Sequence, residues 1–114
     1  MKTLEEMQKD GIDVKSAMER FMNNEEMYRS FLHQLPEEET YRNMLNEICA
    51  KNTSRAFDEA HKLKGILGNL ALVEAYNVLY DIVEILREGK LPGNEELTGF
   101  VSVYENWLVY VKDV

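Results

Sequence analysis

Apolar residues recur at spacings of three and four along almost the whole chain, and no segment alternates with the period of two that a half-buried strand requires. A chain patterned this way builds its core from helices packed on helices. The breaks between periodic segments predict where those helices lie. Asp13 caps a short helix carrying Val14, Met18, Phe21 and Met22. Asn23 or Asn24 caps a second, with Glu25 and Glu26 in its first turn, where the helix dipole favours negative charge. Its apolar face is Met27, Tyr28, Phe31, Leu32 and Leu35. Pro36 stops that segment and opens the next, 37–50, which presents Tyr41, Met44, Leu45 and Ile48. Thr53 or Ser54 caps a long helix running to Leu70. The following helix carries Leu72, Ala75, Tyr76, Leu79, Ile82, Val83 and Leu86 on one face, with Gly89 as its stop. After the turn Leu91-Pro92-Gly93, Asn94 caps a last helix with Leu97, Phe100, Tyr104, Trp107, Leu108 and Val111.

The last four segments are each about 14–20 residues, or roughly 21–30 Å at 1.5 Å per residue. Similar lengths and short connections predict an all-α fold, an antiparallel up-down four-helix bundle over 37–113. One or two short N-terminal helices within 3–35 then cover one end. The 114 residues read as a single domain. The aromatic row Phe100, Tyr104, Trp107, Tyr110 fits a bundle stripe better than a membrane or partner face.

Charge narrows the function classes. Thirteen Lys and Arg against 21 Asp and Glu give a net charge of −8, which argues against nucleic acid and against an anionic membrane surface. The single cysteine, Cys49, forms no internal disulfide and fits a reducing compartment. Its neighbours Leu45 and Ile48 predict a buried thiol acting as a small hydrophobe. No CxxC and no His/Cys cluster points to a metal, and no cofactor motif is present. The first residues lack the apolar core of a secretory signal, and stretches such as 107–111 are far shorter than the roughly 18 residues of a membrane span. A cytoplasmic protein is expected.

One helix breaks the pattern. On a wheel with about 100° per residue and His61 at zero, Ala56, Ala60, Leu63, Leu67 and Leu70 form one stripe at about 180–260°. His61 therefore points away from the core. Gly65 lies at about 40° and Gly68 at about 340°, with Lys64 near 300° and Phe57 near 320°. Two glycines inside a helix cost about 1 kcal/mol each relative to alanine. On a solvent face they add no packing energy, so stability does not explain them. Helical side chains lean toward the N-terminus, so a residue at i+4 normally leans over residue i. Gly65 clears the space over the imidazole and Gly68 extends the clearing; taken alone, Gly68 also reads as a helix–helix close-approach site or a weak point before the helix ends. The other histidine, His33, has no glycines beside it and reads as a surface residue in a last turn, where the dipole favours it.

Solvent-facing imidazoles are largely uncharged and nucleophilic near neutral pH. Lys64, one turn along, supplies a positive charge for an anion formed on the ring, and Lys62 adds a second more loosely. A nucleophile beside cations suits capture of a phosphoryl group. No phosphate-binding loop, nucleophile triad or metal cluster accompanies it, so the site is equipped to receive a group and not to start a reaction.

The run Ala60-His61-Lys62-Leu63-Lys64-Gly65-Ile66-Leu67-Gly68-Asn69-Leu70-Ala71 resembles the signature of histidine-containing phosphotransfer (HPt) domains, H-x-L-K-G followed by a small-residue turn. The resemblance extends over most of the chain, from 18–28 through Ala56-Phe57 to 86–89, and is closest to small stand-alone bacterial members. It implies a monomeric bundle without kinase activity that works in two-component phosphorelays. His61 would accept phosphoryl from a receiver-domain phospho-aspartate and pass it to another receiver, of a response regulator or hybrid histidine kinase. Lys64 would stabilise the phosphoryl group, Gly65 would admit the receiver, and Mg²⁺ would belong to the receiver. Two positions depart from the family pattern. Ala71 replaces a glycine, and Val83 stands where several members carry a polar residue near the histidine, leaving Arg87 as its substitute. Two other readings compete: a binding module that sequesters a partner without being phosphorylated, and the phosphoacceptor part of a histidine kinase. The kinase class expects an acidic residue and a proline after its histidine, whereas Lys62 follows His61 and no proline is near. The histidine itself favours the carrier over the binding module.

Overall fold

A computed structural model describes all 114 residues. The chain is all-helical and contains no strand. Seven α-helices follow one another: α1 (Leu4–Lys9), α2 (Val14–Arg20), α3 (Glu25–Gln34), α4 (Thr40–Cys49), α5 (Thr53–Asn69), α6 (Val73–Arg87) and α7 (Asn94–Tyr110). The expected all-α class is met; Asp13 caps α2 as the sequence predicts and, of the two asparagines offered for α3, Asn24 is the cap, each accepting a backbone N–H of its own first turn.

Several local readings need correction. Three helices, not one or two, precede Pro36, because Thr3 and Glu6 form a reciprocal capping box that starts α1 and Met7 is fully buried beneath it. The fourth helix begins at Thr40 instead of 37 and has only ten residues. Pro36 sits in a short 3-10 turn over Leu35–Glu37, after which Glu38 is extended. Asn52, and neither Thr53 nor Ser54, caps α5, accepting from the Arg55 N–H at 3.2 Å. Gly93 is the N-cap of α7, with Glu96 reaching back to its N–H at 2.9 Å, so Asn94 is already helical. Met22 follows the end of α2 with a left-handed backbone and lies in solvent, and Met27 and Phe31 are half exposed, since α3 turns Tyr28 and Leu32 inward. Cys49 is exposed, not buried: Met44 and Ile48 define the inner face of α4, and one residue further turns the thiol about 100° away.

One continuous core joins the long helices. Ala56, Ala60, Leu63 and Leu67 of α5 meet Ala75, Leu79, Ile82, Val83 and Leu86 of α6, with Phe100, Tyr104 and Trp107 arriving from α7. Tyr41 of α4 stacks on Tyr104 of α7 with ring centroids 4.1 Å apart. The connections between α4 and α5 and between α5 and α6 are each only three residues. Both close by the same device. The N–H two residues past the helix cap returns to a carbonyl inside the last turn, Asn52 to Glu47 and Leu72 to Leu67, while Lys51 and Ala71 take left-handed backbones at φ 60°. No helix is long and apolar enough to cross a membrane.

The N-terminal helices are tied to the rest by specific bonds. Ile12 pairs with Leu72 in an isolated antiparallel bridge, and the Asp13 N–H donates to the Ala71 carbonyl at 3.2 Å. The Tyr28 hydroxyl donates to the Leu70 carbonyl at 2.7 Å. Lys2 N–H donates to Asp113 in the closing turn Val111–Asp113.

Burial holds the phenols of Tyr28 and Tyr104 well above the ordinary tyrosine range and pushes Tyr41 up to about 12, with Glu105 adding to the rise at Tyr41. Tyr110 is raised as well, by desolvation and by its hydrogen bond to Asp10. An unfolded chain releases these protons near pH 10 while the folded chain keeps them. Stability is therefore complete below pH 10 and falls as pH rises above it, by about 1.4 kcal/mol per pH unit for each fully buried phenol. Thermal melts at pH 8, 10 and 11.5 check this; an unchanged midpoint across that range would contradict it.

Candidate functional site around His61

The four small and branched side chains Ala56, Ala60, Leu63 and Leu67 are fully buried and fix the inner face of α5. His61 falls outside that stripe and is exposed, as the helical wheel requires. Its imidazole takes part in no hydrogen bond or ion pair with the chain. The contact it does make is with Phe57 one turn earlier, at 5.7 Å between ring centroids. Phe57 is half buried and carries the Arg87 guanidinium 4.8 Å from its ring centroid.

The two glycines turn out to do different things. A Cβ built on Gly65 meets nothing within 4 Å, so the surface beside His61 is bare backbone open to solvent. A Cβ on Gly68 would lie 3.2 Å from the Tyr76 ring of α6. Gly68 is thus a seat for a neighbouring helix's aromatic ring as well as part of the smooth surface. Of the two readings of Gly68, the close approach of another helix is therefore present: its missing side chain leaves room for Tyr76 of α6.

The flanking cations also separate. Lys64 is half buried, with its ammonium 4.9 Å from the Tyr80 ring centroid, and it has no carboxylate partner. Lys62 is exposed and ion-paired with Glu59 at 3.6 Å, which draws its charge along the helix. Val83 is fully buried in the core, so it offers nothing to the imidazole. Arg87 does not take its place: its Nε donates to Glu84 at 2.7 Å while the guanidinium covers Phe57.

An open groove of about 450 Å³ runs from His61 along α5. Lys64, Gly65 and Gly68 lie on its α5 side, Tyr76 closes it from α6, and Ser16 and Arg20 of α2 form the far wall. The part played by α2 is absent from sequence reasoning. It follows from the Ile12–Leu72 bridge and the Asp13–Ala71 bond, which bring the start of α2 against the turn that ends α5. Arg20 then reaches across to Asn69 of α5, Nη1 to Oδ1 at 3.1 Å, while its Nε donates to Ser16 Oγ at 3.4 Å. The one signal in the sequence was the Asp13 cap, which fixes where α2 starts but not what it touches.

Nowhere do three or more His, Cys, Asp or Glu side chains converge as a metal-binding group. Chemically, the site presents an accessible ring nitrogen beside an unpaired ammonium, on a surface smooth enough for another protein to reach it. Comparison with family models, curated proteins and solved structures gave no match for this chain.

Proposed function

We propose that the chain is a phosphorelay histidine phosphocarrier of the HPt type, taking a phosphoryl group onto His61 from the phospho-aspartate of one receiver domain and handing it to another. The observation that carries this reading is the exposed, unbonded imidazole of His61 next to the vacant backbone of Gly65. A ring nitrogen attacks phosphorus, the bond from phosphorus to the aspartyl oxygen breaks, and the carboxylate leaves with the electron pair. The ring, now cationic, releases the single N–H proton of its opposite nitrogen to water. Lys64, unpaired and one turn along, offsets the negative charge that accumulates on the phosphoryl oxygens. The receiver supplies the Mg²⁺ for this exchange, and the chain has no kinase activity of its own.

The architecture that suits this role is an antiparallel up-down bundle of α4–α7. The three-residue connections and the Tyr41–Tyr104 stack between its first and last helices support it. In this arrangement the 70–72 and 111–113 turns, to which α1–α3 are bonded, lie at one end. The protein acts as a cytoplasmic monomer that docks receivers transiently.

Mixing the protein with a phosphorylated receiver tests the reading. Wild type is expected to gain acid-labile, base-stable label, His61→Gln none, and neither to gain label from ATP alone. Equal labelling of His61→Gln and wild type would rule the proposal out.

A further inference from the structure

The chain carries an excess of eight negative charges, and five of its thirteen Lys and Arg side chains are ion-paired: Lys2 with Asp10, Arg29 with Glu25, Lys62 with Glu59, Arg87 with Glu84 and Lys90 with Glu88. The two cations that line the His61 groove are both among the unpaired ones, and both are held in place by neutral groups. Lys64 has only an aromatic ring, and Arg20 is held by two neutral oxygens, Ser16 Oγ and Asn69 Oδ1. Those two bonds use Nε and Nη1 and leave Nη2 without a partner in the chain. Arg20 is therefore oriented by neighbours that leave its charge intact.

Distance decides what that charge is for. Asn69 lies eight residues beyond His61 on one helix, about 12 Å along the axis. A phosphoryl group on His61 extends only a few ångströms, so Arg20 is out of its reach. Between the two lies backbone smoothed by Gly65 and Gly68. Anything that meets both ends of this groove has to be the body of a docked protein.

Building on the phosphocarrier reading, we propose that Arg20 is a partner-selecting residue, which pairs with an acidic side chain on the receiver domain docked over His61. An anchored guanidinium loses little side-chain freedom on binding, and it presents a fork suited to a carboxylate. Helix α2 then belongs to the docking surface as well as to the end of the fold.

The test measures transfer from a phosphorylated receiver of the same cell at varied receiver concentration. Arg20→Gln is expected to raise KM about three- to fivefold, as loss of a partly exposed ion pair does, and Arg20→Glu about tenfold or more. The loss falls on KM, and Arg20→Lys recovers most of it. Lys112→Gln removes the same charge from the exposed 111–113 turn and leaves KM at the wild-type value. The gap between Arg20→Gln and Lys112→Gln narrows at about 0.5 M salt, where the screening length is roughly 4 Å. Equal KM for these two variants overturns the inference alone. A fall in kcat that Arg20→Lys does not repair also overturns it, because the residue would then be holding the fold. If no receiver labels the wild type, the phosphocarrier reading falls and takes this inference with it.

Discussion

Replacing Gly65 by glutamine is expected to make the protein more stable and to abolish most of the phosphotransfer proposed for His61. The position is helical, has an ordinary backbone conformation, and offers open space to a side chain. Glycine costs a helix interior about 1 kcal/mol relative to a good helix former, so the substitution should raise the unfolding free energy by roughly that amount. A glutamine there leans back over the preceding turn, which is the turn that carries His61. It would fill the open space over Gly65 through which, in the proposed reaction, a receiver's phospho-aspartate approaches the ring. A displacement of about 1 Å at the reacting atoms can cost 100-fold in rate, and we expect kcat/KM for transfer to fall at least that far. The two effects have opposite signs, so misfolding cannot mimic the result. Thermal unfolding and transfer kinetics on the same preparation decide it; a variant that transfers at the wild-type rate would mean that no partner approaches over Gly65.

The largest loss of stability is expected at Tyr28. It is fully buried, packs its ring 5.2 Å from Phe21, and donates its hydroxyl to the carbonyl of Leu70, the residue that caps α5. Tyr28→Ala removes a whole aromatic side chain from the core and orphans that carbonyl, for about 3–5 kcal/mol. Tyr28→Phe keeps the packing and loses the hydrogen bond alone, about 1–1.5 kcal/mol. Denaturant unfolding of both variants separates the two contributions. Costs below 1 kcal/mol for Tyr28→Ala would show that α1–α3 unfold independently of the long helices. Were that so, Arg20 would not be held where the structure places it.

Periodicity alone located the central element of the site. The buried stripe of α5 is unambiguous, and once it is assigned, His61 and Gly65 have to face outward. Caps formed by side chains close in sequence, such as Asp13 and Asn24, were equally readable because the partners lie within one turn. What escaped depends on contacts between segments distant in sequence. Gly68 was legible as a candidate close-approach site, but not that Tyr76 of α6 is what lies against it. Arg20 joined the groove through backbone bonds between 12–13 and 71–72, which carry no side-chain signature. Cys49 was misjudged because Leu45, one turn before it, is itself only half buried; the inner face of α4 runs through Met44 and Ile48.

The unbonded state of the imidazole bears on how such a relay would be driven. In the proposed carrier, loading a phosphoryl group onto His61 breaks no hydrogen bond or ion pair of the chain, and the one side chain drawn to the new charge would be Lys64, now over the Tyr80 ring. A cargo that breaks no internal bond has little with which to throw a switch in its carrier. Whether phosphate moves forward or backward would then be decided by the relative phosphorylation potentials of the two receivers, with this protein serving as a neutral courier between them.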